Sequence, residues 1–582
     1  MRRICVWIGL CFCCLSLPPL LPDVPAAVVP VAMPPGVVGE YLVLYATGVA
    51  PEEGRAAIVA AGGQVVRENA AVGVATVRST RHDGMFLRAA RRAPALAGAT
   101  LNVPLGRTPP STPSAPSTLS VRERAEVARE IEPGERPGGG GSAGNGGPQT
   151  GNEPLAALQW DMQAIGATAD GAHAVQAGNR RVLVGVIDSG IDGKHPDLAP
   201  VFDRGLSRNF VTDIPELDGP CTYPSCVDPP DEDGNGHGTH VAGTIAAARN
   251  GLGIAGVAPN VTLVNLRAGQ DSGLFLVGPT VDALTYAGDI GVNVVNMSYY
   301  IDPWLYNCPD NPADSEEARQ AQRTTIEATQ RALDYARARG VVLVSAAGNG
   351  HTDLDRATVD TTSPNFPVGA AYSRPVDRSC RSMPTDGDGV IGVTAIGPSG
   401  RKSFYSDYGL THADIAAPGG DSLDYFGTAQ YQPVKNRILA TYPQALLLAA
   451  GEIDAQGRPT TKGPLVVRDC RGEVCAYYRY LEGTSMAAPH VTGVVALIVS
   501  QFGTPSRRHP DGLALSPARV ERLLLGTATP RACPAQNPQT YAGLSPTAAT
   551  AYAARCEGET ARNGFYGAGV VDAKRAVAGL GR

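Results

Sequence analysis

Five short apolar runs rich in β-branched residues, at 182–187, 261–266, 292–297, 341–346 and 391–396, alternate with glycine-bounded turns and helical stretches such as 280–288 and 316–339. Runs this short and continuous suit strands covered on both faces, and parallel strands need a crossover helix between them. The pattern predicts an α/β fold on a doubly wound, mostly parallel sheet. In such a sheet, reactive side chains gather beyond the carboxyl ends of the strands. Asp188, Ser298 and Asn349 fall at or just after such ends.

The amino-terminal part reads differently. A chain of 582 residues exceeds one compact domain. Within 38–105, strands are expected at 40–45, 63–68, 73–78 and near 100–103, with helices at 51–61 and near 86–92, which makes a small α/β unit. From 106 to 154, Thr, Pro, Ser and Gly surround a charged stretch at 121–135, a composition that cannot offset ordering entropy. This segment is expected to be a flexible linker open to proteolytic nicking. It leads into the larger domain, 155–582.

Residues 1–27 begin with Arg2 and Arg3, run apolar from Ile4 to Leu17 and reach Ala26 and Ala27, the layout of a secretory signal. Pro18 and Pro19 interrupt the apolar stretch, which is short for a membrane span. Export to the extracellular space is expected, without a stable membrane anchor, and no later segment reads as a span. A net charge of −6 supplies no positive field for nucleic acid.

Eight cysteines follow the signal, an even number suited to an oxidising compartment: Cys221, Cys226, Cys308, Cys380, Cys470, Cys475, Cys533 and Cys556. Cys221 with Cys226, and Cys470 with Cys475, are close enough to staple loops, and neighbour pairing is expected throughout. Scattered reduced thiols are the alternative.

Three glycine-rich segments carry the chemistry: Ile187-Asp188-Ser189-Gly190, His237-Gly238-Thr239-His240, and Gly483-Thr484-Ser485-Met486-Ala487-Ala488-Pro489. A serine hydroxyl is a poor nucleophile at neutral pH, so it needs a base within hydrogen-bond reach and a third group to orient that base. His237 is suited to be the base, and Asp188 can hold its other ring nitrogen. The apolar run 491–499 after Ser485 puts that residue at a helix N-terminus, where unpaired N–H groups face developing negative charge. Singly, Asp188 could cap a turn, His237 could be structural and Ser485 could be an N-cap. His240 reads as a packing residue of the His237 helix rather than as half of a metal pair.

The order Asp, His, Ser, with Asn349 in Ala347-Gly348-Asn349 before the last, resembles the subtilisin-like serine proteases. The resemblance runs from about 155 to 578 and closes on Gly567-Ala568-Gly569-Val570-Val571-Asp572-Ala573. It implies a secreted endopeptidase acting through an acyl-enzyme on Ser485, with Asn349 as the side-chain oxyanion donor and no catalytic cofactor. It implies that the unit at 38–105 is an inhibitory propeptide, and that Asn296-Met297-Ser298 and Tyr299 line the substrate pocket. It also implies a structural Ca²⁺ held by Asp197, Asn250 and the carbonyls of Ala248, Leu252 and Ile254. The acidic run Asp228, Asp231, Glu232 and Asp233 could hold a second ion or be a solvated face.

Three departures from the family pattern stand out. Tyr299 and Tyr300 occupy positions where many relatives have a small residue or glycine, against the usual broad taste for large apolar side chains. The segments 212–235 and 301–325 lengthen loops near the cleft and are expected to narrow the range of substrates. Residues 421–482 form a long insertion before the nucleophile, with Cys470 and Cys475 bracketing a hairpin. The expected partners are protein or peptide substrates and the chain's own propeptide, and the protein is expected to be a monomer. Two other functions compete with a general endopeptidase: a processing protease for one partner, and a non-catalytic polypeptide-binding pseudoenzyme.

Overall fold

The computed structural model describes residues 39–81, 84–102, 153–542 and 552–580. The expected signal at 1–27 and nearly all of the expected linker at 106–154 lie outside the described residues.

Seven strands form the main sheet, in the order Ile415–Pro418, Val390–Ile396, Val342–Ala346, Val294–Met297, Leu183–Ile187, Thr262–Arg267 and Arg208–Asn209. Every neighbouring pair is parallel. Alternate side chains go to opposite faces, as the two-residue period of a strand requires. Val294, Val342 and Val344 pack with the helices His237–Ala246 and Thr484–Phe502, while Val295, Met297 and Leu343 pack with Val277–Ile290 and Glu316–Ala338. Both faces are covered, which explains why the five predicted strands read as unbroken apolar runs. Chain order reverses around Leu183–Ile187, so Asp188 emerges at the switch point where such sheets bind ligands.

The amino-terminal unit is a four-stranded antiparallel sheet in the order Gln64–Asn69, Val74–Ser79, Gly39–Tyr45 and Leu96–Leu101, with the helices Pro51–Ala61 and Met85–Ala90. Tyr41, Val43 and Tyr45 face those helices, joining Ile58 and Phe86 in a small core. Leu42, Leu44, Val72 and Val74 face the other way into the core of the large domain. Polar contacts fix the seat: Asn69 Nδ2 donates to Thr285 Oγ1 at 2.7 Å, and Arg331 donates to the Tyr45 carbonyl at 2.9 Å. The last strand was expected near 100–103 and instead runs from Leu96 to Leu101. Its small residues hide a strand, and they serve close packing: a Cβ added at Gly98 would lie 2.4 Å from Thr324 Oγ1 on a facing helix.

The insertion at 421–482 folds as a three-stranded antiparallel sheet, Ile438–Thr441, Val474–Leu481 and Val466–Arg471, with Cys470 opposite Cys475 in the expected hairpin. Disulfides join Cys221 to Cys226, Cys308 to Cys380, Cys470 to Cys475 and Cys533 to Cys556, the neighbour pairing expected from the sequence. One reading needs correction. The helix Thr484–Phe502 is long and apolar enough to cross a bilayer by length and composition, but its most apolar stretch is 89% buried inside the fold. Its apolarity serves the core.

Candidate active site

Asp188 follows the central strand and is fully buried. Its Oδ1 accepts the Ser189 N–H and the Nδ1–H of His237, each at 2.8 Å. A proton on Nδ1 leaves Nε2 with the lone pair, the tautomer a general base requires.

His237 is the first residue of its helix, and the glycine after it allows the helix to approach the strand end. A Cβ at Gly238 would lie 2.1 Å from the Gly190 carbonyl oxygen. Asp233, which the sequence offered only as part of an acidic run, ties this junction together. Its Oδ1 accepts the N–H groups of Asn235 and Gly236 and the hydroxyl of Ser189, and its Oδ2 accepts the N–H and hydroxyl of Thr239. The Ser189 hydroxyl in turn accepts the Gly238 N–H at 3.0 Å. One carboxylate thus caps the helix carrying His237 and fastens it to the segment carrying Asp188. The legible signal was an acid shortly before a helix start.

Ser485 is the second residue of the helix Thr484–Phe502 and is 5% exposed. Its hydroxyl donates to the Ser298 carbonyl at 3.3 Å, and the Ser298 hydroxyl donates to the Ser485 carbonyl at 3.1 Å. Asn349 Oδ1 accepts both the N–H of Thr484 at 2.8 Å and its hydroxyl at 2.9 Å, so the amide's remaining N–H capacity is turned away from the helix. A Cβ built on Gly483 would lie 3.5 Å from Asn349 Nδ2 and 3.6 Å from the Ser485 nitrogen. Two N–H donors therefore lie on the same side of Gly483.

A single cleft collects Asp188, His237, Ser298, Tyr299, Asn349 and Ser485. Tyr299 does more than fill a wall: its ring stacks on Phe275 at 4.0 Å and 5° from parallel, so two aromatics close one side. Phe275, Tyr300, Asp302 and Asn365 also line the cleft, and apart from Tyr300 none was singled out from sequence. His240 packs as expected. It is fully buried, with Nε2 near the carbonyls of Ile438 at 3.2 Å and Arg479 at 3.0 Å, and burial pushes its ring down to about 3.

The expected calcium loop is a different matter. Asp197 and Asn250 do meet, but Asn250 Nδ2 donates to Asp197 Oδ1 at 3.1 Å and Asn250 Oδ1 accepts the Leu252 N–H at 3.0 Å. Asp197 Oδ2 accepts the hydroxyl of Tyr478 at 2.7 Å and the Ile254 N–H at 3.3 Å. Ala248 meets the loop through its N–H, on the Asp197 carbonyl at 2.8 Å. The Tyr478 hydroxyl lies 1.7 Å from where a Gly253 Cβ would stand, so the ring tip fills the loop. In this arrangement both Asp197 carboxylate oxygens and the Asn250 Oδ1 are engaged by protein donors, so the two side chains of the expected set are turned to the protein and not to a cation. Tyr478 comes from the inserted hairpin, whose place no local motif announces. Elsewhere Asp213, Asp228 and Asp271 place carboxylate oxygens within 4.8 Å of one another. The buried guanidinium of Arg267 answers them, at 3.5, 2.6 and 2.9 Å.

Comparison with known proteins agrees with this architecture. Residues 179–569 match the model of the Subtilase family. Subtilisin DY of Bacillus licheniformis is 28% identical over 352 residues, spanning 60% of this chain and 84% of that protein. Fervidolysin of Fervidobacterium pennivorans is 28% identical over 389 residues, covering 65% of this chain but only 41% of its own length. Among solved structures, the epidermin leader peptide processing serine protease of Staphylococcus aureus superposes with a TM-score of 0.57 at 20% identity, over 93% of this chain and 98% of that one. The matched span takes in the sheet and every residue of the cleft, and the chain belongs to the subtilase family of serine endopeptidases.

Proposed function

We propose that this protein is made as a secreted zymogen and that Ser485 is its nucleophile. The observation that carries the proposal is the 2.8 Å Asp188–His237 contact opening on the cleft that holds Ser485 and Asn349. In the reaction, the Ser485 hydroxyl exchanges the Ser298 carbonyl for His237 Nε2, which takes its proton as Oγ attacks the peptide carbonyl. Asp188 stabilises the imidazolium, and Asn349 Nδ2 with the Ser485 N–H stabilises the tetrahedral oxyanion. His237 then gives the proton to the departing amine. A water molecule, deprotonated by the same nitrogen, cleaves the acyl-enzyme and restores the serine.

Residues 38–105 are the inhibitory propeptide in this reading, and the seat of their described part on the helices Val277–Ile290 and Glu316–Ala338 supports it. The substrates are proteins or peptides. A narrow processing role is the second reading, favoured by the Phe275–Tyr299 wall. The test compares wild type with Ser485→Ala by intact mass and new N-termini, with casein hydrolysis alongside. Shedding of the first 100 to 155 residues by wild type alone, with casein cleavage, supports a self-activating general protease. Shedding without casein cleavage favours the processing role, and identical intact chains defeat self-activation.

A further inference from the structure

One carboxylate in the cleft has no part in the chemistry above. Asp302 is 8% exposed and lines the cleft with Tyr300 and Asn365. Its Oδ2 accepts the Phe275 N–H at 2.5 Å and its Oδ1 accepts Asn365 Nδ2 at 2.5 Å. The same Asn365 nitrogen donates to the Tyr300 hydroxyl at 2.9 Å, and the Asn365 Oδ1 is buried with no partner among the described residues.

Burying an ionised carboxylate is costly unless a cation compensates it. Two other buried aspartates are compensated in that way, Asp228 by Arg267 at 2.6 Å and Asp314 by Arg374 at 2.7 Å, whereas Asp197 and Asp233 are held by neutral donors inside the fold and away from any ligand. Asp302 has only neutral donors among the described residues, and burial pushes its carboxyl up to about 7 with no charged neighbour acting on it. Those donors aim the group without cancelling its charge. Beside it stand two further acceptors, the Tyr300 hydroxyl oxygen and the Asn365 Oδ1. A carboxylate flanked by neutral acceptors on the wall of the cleft matches a guanidinium or ammonium, which brings several N–H donors and one positive charge.

We propose that Asp302, aimed by Asn365 and the Phe275 N–H, is a specificity-determining residue that selects an Arg or Lys side chain of the bound peptide. The inference rests on the endopeptidase reading above and narrows its substrate class. The aromatic wall of Phe275 and Tyr299 flanks the same cleft and suits the aliphatic stem or guanidinium face of such a side chain.

The experiment uses internally quenched peptides that differ only in carrying arginine or citrulline, of the same shape without the charge, at each of four positions before and two after the cut. Wild type is expected to favour arginine at one position by about 30- to 100-fold in kcat/KM, the scale of a buried charge pair. Asp302→Asn is expected to bring that ratio close to unity while the citrulline peptide is cleaved within a few-fold of the wild-type rate. A merely structural role for Asp302 would slow both peptides together, and that result overturns the proposal. So does a wild-type ratio near one at every position, which decides the matter even if the variant does not fold. Labelling by a fluorophosphonate probe separates the two levels of the argument. Wild type that fails to label defeats the endopeptidase reading, whereas labelled wild type without charge preference defeats only this one.

Discussion

Asp188 and Asp197 lie nine residues apart in one stretch of chain, both wholly buried, and each receives its partner from a distant segment. Asp188 receives an imidazole nitrogen at 2.8 Å; Asp197 receives a tyrosine hydroxyl at 2.7 Å. The first pairing leaves Asp188 Oδ2 without a partner among the described residues, and the side chain it holds opens on the cleft. The second pairing takes up Asp197 Oδ2 while Asn250 holds Oδ1, and together they close a loop. The difference lies in what the partner can do next. An imidazole held by one nitrogen keeps the other for proton transfer, whereas a phenol that donates its only O–H proton has none left to give.

This contrast has measurable edges. The largest effect is expected from the pair Asp188→Asn and Asp197→Asn. The first should lower kcat by about 10⁴-fold with thermal stability little changed, because the imidazole is held in the wrong tautomer. The second should leave kcat within a few-fold and lower stability, and an exchange of these outcomes would break the comparison. Next, Asn349→Ala should cost about 10²–10³-fold in kcat with KM nearly constant, since the proposed mechanism uses its donor in the transition state; a change confined to KM would count against that role. Smaller still, Tyr478→Phe should destabilise by about 1–3 kcal/mol in urea unfolding by removing the shorter of the two hydrogen bonds to a buried carboxylate oxygen. Chelator should leave the wild-type unfolding curve in place, and a large chelator-induced loss would show that the loop opens to a cation after all.

The mildest test concerns a third buried aspartate that has neither partner. Burial raises the Asp302 carboxyl to about 7, against about 3.9 in an unfolded chain. The folded state therefore binds more protons between those values, so this group's favourable contribution is complete below pH ~4 and is lost as pH rises towards 7. Relative to wild type, Asp302→Asn should gain stability as pH is raised from 4 to 8. Parallel unfolding free energies across that range would mean that Asp302 ionises without penalty.

What was legible in the chain depended on how locally it was written. The five central strands announced themselves because both faces of each are buried, and Ser485 was placed by the apolar helix behind it. Asp188, His237 and Ser485 could be read singly because each sits in a short glycine-rich motif, even though the three meet only through the folded sheet. The strand Leu96–Leu101 was misplaced because Ala and Gly carry weak strand signals, and only the facing helix explains their smallness. Tyr478 lies 281 residues from the aspartate it holds, and Asn365 lies 63 residues from Asp302. No period or motif connects positions so far apart. The same holds for Asp233, whose meaning as a cap depends on a helix beginning at His237.

Leu42, Leu44, Val72 and Val74 are covered on one side by their own sheet and on the other by helices of the large domain. A break in the chain between Asn102 and Glu153 would remove a covalent tie and leave that shared apolar layer intact. Severing and parting are thus separate events on separate clocks, the first set by one peptide bond and the second by wetting an oily seam. A nicked molecule would stay whole through gel filtration while showing two bands under denaturation. On the proposed zymogen reading, its latency would then be governed by how fast the smaller piece unfolds or is itself digested, and activity should rise after a lag.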